Sequence, residues 1–161
     1  LPIGAGQTIS QPFMVARMSS LLQLQGDERV LEIGTGCGYQ TAVLSLLCQR
    51  VYTIERICSL HDRARQVLRE CRLLKRITMK CGDGLLGWES YAPFDAIVVT
   101  AGGMASPVWS EQLAEGGVLL MPEGEGGSHQ LVRWVKRSGT MEATRLDLCS
   151  FVPLLSGVQD R

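Results

Sequence analysis

Along "SQPFMVARMSSLLQL" the apolar residues Met14, Val15, Met18, Leu21 and Leu22 return at helical spacing, which predicts a helix with one buried face. Ser10 stands where an N-cap belongs, and Pro12 is suited to the first turn. The period then shortens. "RVLEI" reads as a buried strand that runs into a glycine-rich turn and the helix "YQTAVLSLL". "RVYTIE" is a second strand, and the helix after it carries Ile57, Leu60, Ala64, Val67, Leu68, Cys71 and Leu74 at helical spacing. "ITMKCGD" holds a short third strand. "FDAIVVTA" holds the apolar run Ala96 to Val99, as in a strand covered on both faces of a parallel sheet. A short helix near residues 109–113 leads through "EGG", read as a stop, into the strand "GVLLMPEG". Finally "HQLVRWVKR" and "EATRLDLCSFVPL" are separated only by "SGTM", which predicts a hairpin.

Strand and helix alternate until that hairpin. The expected fold is therefore α/β, a doubly wound Rossmann-like sheet, mostly parallel with an antiparallel edge near the C-terminus. A chain of 161 residues forms one domain, residues 1–161, and buries roughly 70% of the surface its unfolded form would expose. Ligands of such sheets bind outside the carboxyl ends of the strands, so the chemistry is sought there.

Charge narrows the partners. Lys plus Arg and Asp plus Glu number 16 each, so no net field steers the chain to nucleic acid or a membrane surface. The longest apolar runs are strand-sized, and Leu1 stands where a start Met would be expected. The six cysteines (37, 48, 58, 71, 81 and 149) include no C-x-x-C pair, and only His61 and His129 could join them around a metal. They are expected to be reduced, structural thiols of a cytoplasmic protein. No metal site is expected.

Three strand ends carry polar groups. In "LEIGTGCGYQ", Gly34, Gly36 and Gly38 allow backbone to approach a ligand at a helix N-terminus. Tyr39 occupies the place where a dinucleotide fingerprint wants its third glycine. Glu32, two residues ahead of the first glycine, would oppose a pyrophosphate but suit a ligand with ammonium and sulfonium charges. Glu55 closes "RVYTIE" 21 residues after Gly34, an offset at which an acid accepts ribose hydroxyls. Asp83 in "CGDG" is placed to accept from an adenine amine, although Asp-Gly pairs are also common turn formers. An amino acid, a ribose and an adenine together describe S-adenosylmethionine.

The opening loop "GAGQTISQP", with "VLEIGTGCGYQTAVL", "GDG", "APFDAIVVTA", "LAEGGVLLMPEG" and "FVPL", resembles the protein-L-isoaspartate O-methyltransferase family along nearly the whole chain. The resemblance implies methyl transfer from S-adenosylmethionine, leaving S-adenosylhomocysteine, to the free α-carboxylate of isoaspartyl residues in proteins and peptides. It implies that Gln7, Thr8, Ile9 and Ser10 close over cofactor and substrate, with Ser10 the active-site residue. Arg56 and Gly84, next to Glu55 and Asp83, complete the expected cofactor contacts. A monomer is expected. Two departures stand out: the domain is expected to lack the helical segment that precedes the loop in relatives, and "AGGMASP" places Gly102 and Gly103 in what should be a more flexible loop. His61 is expected to be solvated, His129 to lack a partner, and Trp88 and Trp109 to serve packing. Two alternatives stay open, a methyltransferase for normal aspartate in one peptide and a cofactor-binding protein without catalysis. A nicotinamide oxidoreductase is disfavoured by Glu32 and the glycine spacing.

Overall fold

A computed structural model describes residues 1–8 and 10–160. The chain opens with a small hairpin of β1 (Pro2–Gly4) and β2 (Gln7–Thr8), then α1 (Pro12–Leu21). Next come β3 (Arg29–Ile33), α2 (Tyr39–Ser45), β4 (Arg50–Glu55), α3 (Cys58–Glu70), β5 (Ile77–Cys81) and β6 (Phe94–Val99). The last elements are α4 (Pro107–Gln112), β7 (Leu113–Glu123), β8 (His129–Arg137) and β9 (Thr140–Cys149). Seven strands form one sheet in the order β5-β4-β3-β6-β7-β8-β9. The first five are parallel, and β8 and β9 add an antiparallel edge. The predicted fold class holds.

Both faces of the sheet are covered, which is why its central strands are largely apolar. Val30, Val51 and Val98 point to the face where Met18, Leu22, Leu44 and Leu68 of the longer helices pack. Leu31, Ile33, Ile54, Ile97 and Val99 point to the other, against Trp109 and Leu113. Trp109 is fully buried, and its Nε1 donates to Gly84 O at 2.8 Å, so a packing residue also holds a strand-end loop. Trp88 joins a ring cluster with Tyr52 and Tyr91.

Several local expectations are corrected. Helix α1 begins at Pro12 with Gln11 as N-cap and no side-chain cap bond, so Ser10 is not the cap. On α3, Leu60, Ala64 and Leu68 are buried, but Val67 is 49% exposed. "EGG" does not end an element but lies inside β7, whose pairing with β6 shifts register there. The β8–β9 turn needs only Ser138 and Gly139, both at positive φ, the two-residue hairpin geometry. Cys58 and Cys81 form a disulfide, contrary to the expectation of reduced thiols. Parallel pairing sets Cys81 opposite Glu55, and α3 starts just beyond, bringing the two Cα atoms to 5.4 Å. Cys48 does behave as a small apolar side chain, and burial pushes its thiol up to about 12.

Trp109 offers the sharpest test of this packing. Trp109→Ala should lower unfolding free energy by roughly 3–5 kcal/mol in urea titration. Trp109→Phe should cost about 1–3 kcal/mol, because a smaller ring still fills most of the space while the Gly84 carbonyl keeps only the Gly87 N–H as donor. Equal stability of the Phe variant and the parent would mean that this hydrogen bond contributes nothing.

Candidate functional site

The carboxyl ends of β3, β4, β5 and β6 are tied to one another by backbone bonds. Gly34 N–H donates to Ile54 O (2.8 Å), Gly82 N–H to Glu55 O (3.0 Å) and Thr100 N–H to Ile33 O (3.0 Å). Above β3, β4 and β6 opens a cleft of about 890 Å³, solvent at its mouth included. Its floor is the turn Gly34, Thr35 and Gly36, and Glu55 and Arg56 form one wall. Gln7, Thr8 and Ser10 of the opening loop line it as well. Ile9, expected here too, lies outside the described residues.

Gly34 has φ +99° and is pressed against the Thr100 hydroxyl, which would occupy the space of any Cβ. That hydroxyl lies 2.7 Å from Gly34 O and 3.1 Å from Ile33 O, so it holds the turn down. Gly36 N–H donates to Glu55 Oε2 at 2.8 Å, and Ile57 N–H donates to Glu55 Oε1 at 3.0 Å. Glu55 is 5% exposed, and each of its oxygens keeps a further acceptor position beside the cleft. Gly84 lines the cleft, whereas Gly38 caps α2 in the left-handed region and does not.

Two residues expected as contacts do not line the cleft. Glu32 does not line the cleft but lies beneath it, fully buried. Its Oε1 accepts from Thr53 Oγ1 at 2.7 Å and, more tightly, from Thr41 Oγ1. In a strand covered on both faces, a side chain two residues before the turn points into a layer and not out of the strand end. Burial raises its carboxyl to about 7, against the pull of the two hydroxyls and with a contribution from Glu55. Asp83 is the second. Its Oδ1 accepts from Leu85 N–H and its Oδ2 from Gly157 N–H, each at 2.9 Å, so it caps a short 3-10 turn and ties down the tail. It does not line the cleft.

Other expectations change as well. His61 is mostly covered, with Nδ1 3.1 Å from Asp62 Oδ1 and a buried Nε2 that has no hydrogen-bond partner among the described residues. His129 does have a partner: its Nδ1 accepts from Phe151 N–H at 3.1 Å. The Gly102 loop is pinned, since Gly102 exchanges backbone bonds of 2.8 Å with Val152 and Leu154. A Cβ at Gly102 would overlap the His129 ring, so glycine serves close packing there. Sequence reasoning did not single out Thr100 or the residues 152–155 as part of the cleft. Thr100 follows the strand next to β3, a position the strand-end rule could have flagged. Among the described residues, no three His, Cys, Asp or Glu are grouped to hold a metal, and no helix is long and apolar enough to cross a membrane.

The model of the family described as protein-L-isoaspartate(D-aspartate) O-methyltransferase matches residues 1–159. The chain belongs to that family. It is 51% identical over 159 residues to the protein-L-isoaspartate O-methyltransferase of Aeromonas salmonicida (strain A449), covering 98% of this chain and 76% of that one. The Trichlorobacter lovleyi enzyme of the same name is 52% identical over 157 residues, covering 96% and 72%. A solved protein-L-isoaspartate O-methyltransferase superposes with TM-score 0.87 at 25% identity, covering 96% of this chain and 51% of that one. The beta-aspartate methyltransferase (PCMT) of Plasmodium falciparum, in complex with S-adenosyl-L-homocysteine, gives TM-score 0.83 at 25% identity, with coverage of 96% and 79%.

Glu55 is the side chain on which this site depends most directly. Glu55→Ala should weaken S-adenosylhomocysteine binding by about 1.5–3 kcal/mol in titration calorimetry, in a folded protein. Unchanged affinity would remove Glu55 from the ligand's contacts.

Proposed function

We propose that this chain transfers the methyl group of S-adenosylmethionine to the free α-carboxylate of L-isoaspartyl residues in damaged proteins and peptides. The observation that carries the reading is the Glu55 carboxylate at the β4 end, bonded to the glycine turn and lining the cleft that Ser10 also lines. A ribose diol fits such an acceptor. A pyrophosphate does not, because the Gly36 N–H that would cradle it already donates to Glu55. Arg56, the other charged group lining the cleft among the described residues, is its cation.

When bound, S-adenosylmethionine supplies an electrophilic methyl group on a positively charged sulfur. The acceptor carboxylate, with an ordinary pKa near 4, is ionised at neutral pH, so no residue need act as base. What the chain contributes is alignment. In this proposal Ser10 donates a hydrogen bond that orients the carboxylate, Gln7 and Thr8 close the roof, and Glu55 with the Gly34–Gly36 turn holds the nucleoside. Asp83 acts at one remove, bracing the tail at Gly157. The methyl ester then collapses to a succinimide without the enzyme, and part of it reopens as normal aspartate. A monomeric state and a cytoplasmic location belong to the same proposal, and light scattering and cell fractionation test them. The Cys58–Cys81 disulfide removes one argument for that location, which had rested on reduced thiols.

The deciding assay is methyl transfer from labelled cofactor to an isoaspartyl peptide, with its normal aspartyl twin as control. Equal rates on both peptides would favour the aspartate-modifying alternative, and cofactor binding without transfer the non-catalytic one. Because Ser10 caps no helix, Ser10→Ala should leave stability nearly unchanged. It should slow methylation by roughly ten- to a thousandfold with little change in cofactor affinity. Parental turnover in that variant would leave Ser10 without a role in orienting substrate.

A further inference from the structure

Beneath the cleft lies a buried polar cluster that the reaction does not use. Glu32 Oε1 accepts from the Thr53 and Thr41 hydroxyls, and Oε2 is buried with no hydrogen-bond partner among the described residues. Thr53 Oγ1 lies 2.6 Å from Thr35 Oγ1, and Thr35 is the middle residue of the turn that floors the cleft. Since Thr53 gives its proton to the carboxylate, its oxygen is left to accept from Thr35. A line of hydroxyls therefore runs from the turn on β3, through β4, back to a carboxyl in β3, with Thr41 anchoring α2 to the same oxygen.

Among the described residues no cation offsets this carboxyl. From β4 the charged group that faces it is Glu55, of like sign. The α2 segment "YQTAVLS" carries no charged residue, and β6 sets Val98 beside Glu32. Asp95 of β6 is exposed and accepts from Arg29 N–H at the opposite end of the strand, while Arg17 of α1 is paired with Asp147. Burial without a countercharge keeps a carboxyl neutral until a positive charge arrives nearby.

We propose that Glu32 is a positioning residue for the cofactor: as a sulfonium-bearing ligand enters the cleft, the carboxyl releases its proton to solvent, and the carboxylate draws in the Thr53 and Thr41 hydroxyls that fix the Thr35 turn. The inference rests on the reading that S-adenosylmethionine occupies this cleft. The direction of the pH effect follows. In the free protein the carboxyl is neutral below about 7, and a bound cation lowers that value. Affinity for S-adenosylmethionine therefore rises with pH up to about 7 and flattens above it. S-adenosylhomocysteine lacks the sulfonium charge and should release fewer protons.

Calorimetry near pH 6, in buffers of differing ionisation enthalpy, counts the protons. The ligand's own amine, with a pKa near 8, stays protonated there. The expected result is release of roughly half a proton or more with S-adenosylmethionine, and clearly less with S-adenosylhomocysteine. Glu32→Gln keeps an acceptor for the two threonines but has no proton to lose, so it should release none and bind with pH-independent affinity. No release from the parent protein, or the same release from Glu32→Gln, overturns the proposal. Should Glu32→Gln not fold, ¹³C-glutamate NMR of the parent decides. A carboxyl signal titrating near 7 must shift to its ionised position when S-adenosylmethionine is added near pH 6, and its failure to do so is equally fatal. Proton release without methylation would sink the proposed function alone, and methylation without proton release this inference alone.

Discussion

The site depends on the two bonds that Glu55 accepts, from Gly36 N–H at 2.8 Å and Ile57 N–H at 3.0 Å. One carboxylate joins the turn after β3 to the start of α3 after β4. Hydrogen bonds to a charged group are roughly twice as strong as neutral ones, and here they satisfy two backbone donors at a strand end. The tie also decides ligand chemistry. A glycine turn whose N–H groups are free attracts phosphate, whereas this one is turned onto a carboxylate and presents negative charge to the cleft. A glycine-rich turn at this strand end thus serves a cationic nucleoside in place of a dinucleotide.

Most of the architecture was legible in the sequence because its signals are local. The apolar run at 96–99 marked the doubly covered strand β6, and the glycines after "RVLEI" marked the turn. Glu55 was legible as a residue of the cleft because an acid that ends a strand has little choice but to sit at the strand's mouth. Glu32 was misplaced because its orientation depends on pleat and on which layer covers it. Asp83 was legible as a turn former through Leu85, two residues on, but its other partner, Gly157, is 74 residues away. The Cys58–Cys81 disulfide escaped notice likewise, since a separation of 23 residues becomes 5.4 Å only once β4 and β5 pair. Spacing rules describe neighbours in the chain, and these contacts are neighbours only in the sheet.

The tail shows how one edge of the cleft is built from distant pieces. Val152 and Leu154 pair with Gly102, Phe151 N–H donates to His129, Gly157 N–H donates to Asp83, and Gln159 exchanges backbone bonds with Arg56 and Cys58. Each bond is modest, of order 1 kcal/mol. Together they carry the tail from the loop after β6, past the end of β5, to the end of β4. Residues expected as ligand contacts or as loop flexibility, Asp83 and Gly102, therefore contribute to the site through the chain they hold.

Neither histidine lines the cleft: His61 lies on α3 and His129 supports Phe151. For a reaction whose nucleophile must be deprotonated, that would be a serious omission. A carboxylate acceptor changes the requirement, because it arrives ionised and a methyl transfer moves no proton. The catalytic problem is reduced to bringing an anion and a cation into line in a site that already carries Glu55 and, beneath it, Glu32. Two carboxyls near a cationic donor favour its binding, yet they oppose an anionic acceptor. A neutral donor such as the Ser10 hydroxyl, and the Arg56 cation at the wall, are the groups in this cleft able to offset that opposition without competing for the methyl group. The polarity of the cleft thus follows from the opposite charges it must bring together.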